Sequence, residues 1–251
     1  MKLFKCLTGV LVALTLCAGL AAQGMMGDQV AMHFQITPKA GMHQQFETAL
    51  KAHANWRKEQ GDPWQWYVMQ VVTGADHGDY IIRSAEMAWA DLDNYEFRDK
   101  GTAHFNTTVG PFIESVNSSI TAANRAVSNW PEDLIPRLVM VEAFHLKPGK
   151  ARQFWETVAK AHSAFEGRMG PYEWATTMIG QGAGGGSAVL VLPKQNWAEM
   201  KPRNMEMMGY LQEAYGEEGT MELMSQFDEC ITGVESMVVA VRPDLSIFQM
   251  P

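Results

Sequence analysis

The chain has 251 residues, 47% of them hydrophobic, with 20 Lys+Arg against 28 Asp+Glu and three cysteines. That composition supplies one or two proper cores and excludes a disordered tail, a collagenous repeat and a disulfide-stapled miniprotein. A formal net charge of −8 also argues against nucleic acid or anionic lipid as a partner.

The first residues differ from the rest. Lys2 and Lys5 precede an apolar run from Leu7 to Leu20 that ends in Ala21 and Ala22. The pattern predicts a signal peptide over residues 1–22, cleaved near Ala22, and a mature protein that is periplasmic or secreted. The run is short for a transmembrane helix and no second stretch of spanning length follows, so no membrane insertion is expected. Cleavage removes two lysines and no acid, leaving 18 Lys+Arg against 28 Asp+Glu, a net of −10. Cys6 and Cys17 leave as well, so Cys230 has no intrachain partner for a disulfide.

From Val30 to Ile36 the residues alternate as in a strand, and Pro38 with Gly41 marks a turn. Met42, Phe46, Ala49, Leu50, His53 and Trp56 then recur at spacings of three and four, one face of a helix ending near Gly61. Trp64 to Thr73 and Tyr80 to Arg83 read as a hairpin turning at Gly74 to Gly78. A helical region from Trp89 to Asn117, broken near Gly101 and Gly110-Pro111, leads to a strand from Ile120 to Val127. Pro131 and Pro136 mark residues 129–136 as a linker. Beyond it come a strand Leu138 to Leu146, a helix Ala151 to Arg168, a hairpin Tyr172 to Leu192, helices from Trp197 to Cys230 and a strand Thr232 to Val241, leaving a tail, 243–251. Gly182 to Gly186 joins two strands and lacks the Lys-Ser/Thr of a phosphate loop, so it reads as a turn.

The second series repeats the first. Phe34, Ile36 and Pro38 match Phe144, Leu146 and Pro148. After one residue of slippage, Gln44, Glu47, Thr48, Lys51, Ala52, His53 and Gly61 fall on Gln153, Glu156, Thr157, Lys160, Ala161, His162 and Gly170. After another, Pro63, Trp66, Gly74, Gly78, Trp89 and Ala90 fall on Pro171, Trp174, Gly182, Gly186, Trp197 and Ala198, and Ile120-Thr121 matches Ile231-Thr232. Collinear coincidence of rare residues points to internal duplication. The element order of each copy is βαββαβ, the ferredoxin-like split motif. The expected fold class is therefore α+β: two tandem ferredoxin-like domains, residues 29–128 and 137–242, whose sheets pack face to face or close into a barrel.

These features, with the Phe-x-Ile/Leu-x-Pro strand end and the long first helix, resemble the dimeric α/β-barrel superfamily, in particular its antibiotic-biosynthesis-monooxygenase-like branch, over about residues 29 to 242. The resemblance implies a pseudo-dimer within one chain and a small apolar or aromatic ligand held between helices and sheet. As an enzyme, such a protein would be a cofactor-independent monooxygenase acting on an aromatic or polyketide-like substrate. The alternatives are a haem-binding protein and a noncatalytic envelope or secreted scaffold.

The candidate catalytic residues are His53 and His162, each on the apolar face of its helix, where an imidazole can act as general base, haem ligand or hydrogen-bond anchor, or simply as a core histidine. Trp66 and Trp174, with Trp64 and Tyr172 two residues earlier on the same side of the pleat, can line a flat apolar pocket or be ordinary core. His33 and His145 in the two first strands project opposite to Phe34 and Phe144 and can reach one shared inner cavity. His43, His77 and His104 read as surface or loop residues. No metal site is expected, and the many methionines, Met205, Met207, Met208, Met221 and Met224 among them, are read as packing.

Overall fold

The structure, a computed structural model, describes residues 28–131, 133–180 and 187–247; the expected signal peptide and the Gly182 to Gly186 turn lie outside them. The first half runs β1 (Gln29–Pro38), α1 (His43–Glu59), β2 (Trp66–Thr73), β3 (Tyr80–Ser84), β4 (Met87–Ala88), α2 (Trp89–Asp93), α3 (Arg98–Thr108) and β5 (Ile113–Ala123). The second runs β6 (Leu138–Leu146), α4 (Ala151–Phe165), β7 (Glu173–Gly180), β8 (Ser187–Lys194), α5 (Asn204–Cys230) and β9 (Ile231–Val241).

All strand pairings are antiparallel. The order β3-β2-β9-β6-β8-β7-β5-β1 closes on itself through β1–β3, and β4 hangs on the start of β1. Each half contributes four adjacent strands, β5-β1-β3-β2 and β9-β6-β8-β7, and the seams are β2–β9 and β5–β7. Closure pairs the sheet edges that each half alone would leave open.

Strand alternation separates a barrel interior from two helix-covered shells. Val71, Val139 and Val239, with Met69, Ile81, Val141, Val191 and Met237 around them, fill the barrel. The opposite strand faces carry two aromatic-rich shells under the helices. One centres on Phe46, Leu50, Trp66 and Tyr80, the other on Phe144, Phe154, Trp155 and Trp174.

Each shell is completed by the end of the other half's last strand. After β5 the chain runs onto the second half, where Val127 is buried, Asn129 bridges to Tyr172 and Ser128 Oγ accepts the Trp174 N–H at 2.9 Å. After β9 it returns to the first half, where Leu245 is buried, Ile247 bridges to Trp66 and Ser246 Oγ accepts the Val68 N–H at 2.8 Å. The expected tail is therefore structural as far as Ile247: Leu245 belongs to the first shell, and Arg242 ties it down through Glu47 at 2.5 and 2.9 Å.

These matching contacts fix how the halves correspond, and they shift the sequence alignment. Tyr172 stands where Trp66 does and Trp174 where Val68 does, two residues from the expected match of Trp66 with Trp174. A slip of two preserves the face of the strand, so both tryptophans still face helices. In the helices the slip is one. Gly41 and Gly149, both at positive φ, open α1 and α4; His53 follows Gly41 by twelve residues and His162 follows Gly149 by thirteen. One residue is about 100° of helical rotation, so the two histidines face differently. Ile120 lies mid-strand whereas Ile231 opens β9, so that pair does not correspond either.

Two boundaries also differ from expectation. Strand β5 begins at Ile113 rather than Ile120, because Gly110-Pro111 ends the helix there and the chain turns straight into the sheet. Helix α3 continues through Gly101 instead of breaking, since a Cβ at that position would stand 3.1 Å from the Phe97 ring and the glycine allows that contact.

Candidate functional site

In the first half, His53 is 3% exposed on α1 and faces α3 rather than open space. Its Nδ1 lies 2.9 Å from Nδ1 of His104, and Arg57 approaches its Nε2 at 3.4 Å. Arg57 can only donate, so Nε2 accepts and the neutral His53 carries its proton on Nδ1, donating to His104. Burial, then the Arg57 charge, then His104 hold the His53 imidazole down to about 3. Trp56 stacks on His104 with ring centroids 3.9 Å apart. His104 is thus an interface residue of α3 and not the surface residue expected.

One helical turn on, Arg57 donates to Asp62 at 2.5 Å and also bonds the Tyr95 hydroxyl. The Asp62 carboxylate is fully buried and accepts four donors: Arg57 Nε, Trp66 Nε1 at 3.3 Å, the Tyr95 hydroxyl at 2.8 Å and the Trp64 N–H at 3.1 Å. Trp64 stacks on Tyr95 at 3.6 Å, and the Arg57 guanidinium lies over the Trp66 ring at 4.9 Å. The structure so brings His53, Trp64 and Trp66 together, joined by Arg57, Asp62, Tyr95 and His104, which the sequence reading missed. A signal was there: Arg57 stands one turn after His53 on the same helix face, and Asp62 directly follows the helix. Every polar atom named is engaged within the cluster, which clamps α1, α3 and β2 together.

In the second half His162 is only partly buried, and its Nδ1 lies 2.7 Å from the Tyr172 hydroxyl. Burial, reinforced by Glu166, pushes Tyr172 up to about 12, so the phenol keeps its proton, and which partner donates is set by the His162 tautomer. Trp174 sits against Phe144, Phe154 and Trp155 in the shell. His162 and Trp174 are not drawn into a cluster like that of His53.

His33 and His145 do not share a cavity. His33 lies inside the barrel with Nε2 2.9 Å from Thr121 Oγ1, and burial together with Arg83 lowers it to about 3. His145 stands at the far end of β6, 39% exposed, paired with Glu235 at 3.1 Å. Packing explains the correction: the valine and methionine layer occupies the barrel interior. The methionines are corrected in part. Met208 packs beside Leu211, but Met205 and Met221 are exposed on α5.

No known protein family matches the sequence, and no curated protein does. Solved structures do. A candidate monooxygenase from Lactobacillus acidophilus NCFM superposes with a TM-score of 0.52 at 10% identity, covering 88% of this chain and 96% of that one. A candidate monooxygenase from Fusobacterium nucleatum gives 0.54 at 11% identity, over 85% and 92%. Chlorite dismutase from Candidatus Nitrospira defluvii, in complex with imidazole, gives 0.52 at 10% identity, over 86% and 92%. The chain has the dimeric α/β-barrel fold.

Among the described residues, two of the surface cavities, of about 390 and 550 Å³, are lined mostly by elements of the second half. Haem, an alternative raised by the resemblance, needs an imidazole nitrogen aimed into such a space. Both nitrogens of His53 are engaged, His33 turns to Thr121, His145 to Glu235 and His162 to Tyr172, and neither of these cavities is lined by a histidine. These residues do not fit a haem in this arrangement.

Proposed function

We propose that this chain is an exported small-molecule-binding protein on a monooxygenase-like barrel, built from two copies of a ferredoxin-like unit that have diverged. The first half is the structural one and the second half takes a small, largely apolar or aromatic ligand. The observation that carries this reading is the asymmetry: the first-half cluster is saturated, while both cavities lie against the second half. Thermal unfolding of the purified protein with a panel of aromatic and aliphatic ligands tests it. Binding raises the midpoint in proportion to ligand excess over Kd. A panel that shifts nothing favours the scaffold alternative and refutes the binding reading.

A second reading, cofactor-independent oxygenation, is favoured by one contact, the His162–Tyr172 pair. In the tautomer with its proton on Nδ1, the imidazole donates to the Tyr172 oxygen and Nε2 is the unprotonated nitrogen. Nε2 then takes the substrate proton, giving an imidazolium whose Nδ1–H stays on the Tyr172 oxygen, so the tyrosine positions the base. Oxygen uptake with an acidic aromatic substrate, lost in both His162→Ala and Tyr172→Phe, checks that reading; uptake unchanged in both variants excludes it.

A further inference from the structure

The smaller cavity lies where the barrel begins on β6, under the segment Gln195–Trp197. Its counterpart in the first half is solid. There Val30 and Ala122 form a core with Met87, and Trp64 and Leu92 pack over it. The correspondence set by the seams puts Leu138 and Ala240 at the places of Val30 and Ala122; they pair directly, Leu138 opposite Ala240. Met87 precedes Trp89 by two residues, and Gln195 precedes Trp197 by two. The second half therefore has the amide of Gln195 on the cavity lining where the first has the buried thioether of Met87. That replacement leaves the site open.

What remains is an apolar floor of Leu138, Ala240 and Val241 beside Trp197, which is 55% exposed, with Arg137 on the lining. Among the described residues, no hydrogen bond or ion pair engages the Arg137 side chain, while its backbone N–H and carbonyl are held by Lys194 and Val241. An exposed indole, an aliphatic floor and an uncommitted guanidinium are complementary to a flat ring carrying an anionic group.

We propose that this cavity is the ligand site of the second half and that it takes a small aromatic carboxylate, the ring on Trp197 and the carboxylate on Arg137. The proposal rests on the small-molecule reading above and gives it a place and a ligand class. A volume of about 390 Å³ suits a one- or two-ring acid.

The test is titration of the purified full-length protein with naphthoate and with naphthamide, its neutral isostere, followed by calorimetry and tryptophan fluorescence. Naphthoate should bind about tenfold more tightly than naphthamide, the weight of one charge-assisted hydrogen bond. Arg137→Gln should erase that ratio while leaving naphthamide unchanged. Gln195→Met, which restores the residue of the filled half, should abolish binding of both without lowering the unfolding midpoint. If Arg137→Gln keeps the carboxylate preference, or Gln195→Met still binds, the site assignment is overturned. If the protein binds neither probe nor any member of the wider apolar panel, the small-molecule reading fails with it; binding of other apolar ligands but not naphthoate overturns the ligand class alone.

Discussion

Acid should undo the first half through His53, and the size of the effect follows from its surroundings. The ring is 3% exposed, faces a guanidinium and donates to a second imidazole, so the folded state holds it down to about 3 against an ordinary value of 6.5. Between those values the unfolded chain binds a proton that the folded chain refuses, so stability falls as the pH falls. The loss begins on passing through 6.5 and levels off only near 3. At about 1.4 kcal/mol per pH unit, descent to about pH 4 removes on the order of 3 kcal/mol, a large part of the 5–15 kcal/mol that holds a typical domain. Urea unfolding at several pH values between about 7 and about 4, for wild type and His53→Gln, isolates this histidine from the carboxylates that also titrate. The variant should start less stable and then lose distinctly less than wild type. Equal pH slopes in the two proteins, or a His53 imidazole titrating near 6.5 by NMR, would refute the reasoning.

Two further outcomes follow from the packing. Asp62→Ala leaves Arg57, Tyr95, Trp66 Nε1 and the Trp64 N–H without their shared acceptor and should cost about 3–5 kcal/mol in urea unfolding, the penalty of an orphaned buried charge. Leu245→Ala should cost about 2–5 kcal/mol although it lies beyond the last barrel strand, because it is 2% exposed in the first-half shell; a loss below about 1 kcal/mol would show that the segment does not belong to that core.

The βαββαβ order was legible because period-two and period-3.6 patterns are local, and strands such as Leu138–Leu146 end where proline and glycine say they must. The aromatic face of the sheet was legible for the same reason: an alignment error of two residues leaves strand parity intact, so Trp66 and Trp174 were placed on the correct side even though they do not correspond. The helix offered no such tolerance. An error of one residue turned two differently facing histidines into an apparent pair, one locked against His104 and the other left beside Tyr172.

What the sequence could not show is which half would be complete. The seams are long-range: Val127 finishes the second shell and Leu245 the first, contacts no local pattern encodes. With both shells closed, a ligand site has to come from where the two halves differ. Met87 against Gln195 is a single difference that carries meaning only once strand register has aligned the halves. An aligned filled site is the reference that makes an empty one informative. Comparing the two halves is useful for the ligand question because the first supplies, in the same molecule, the filled version of the site.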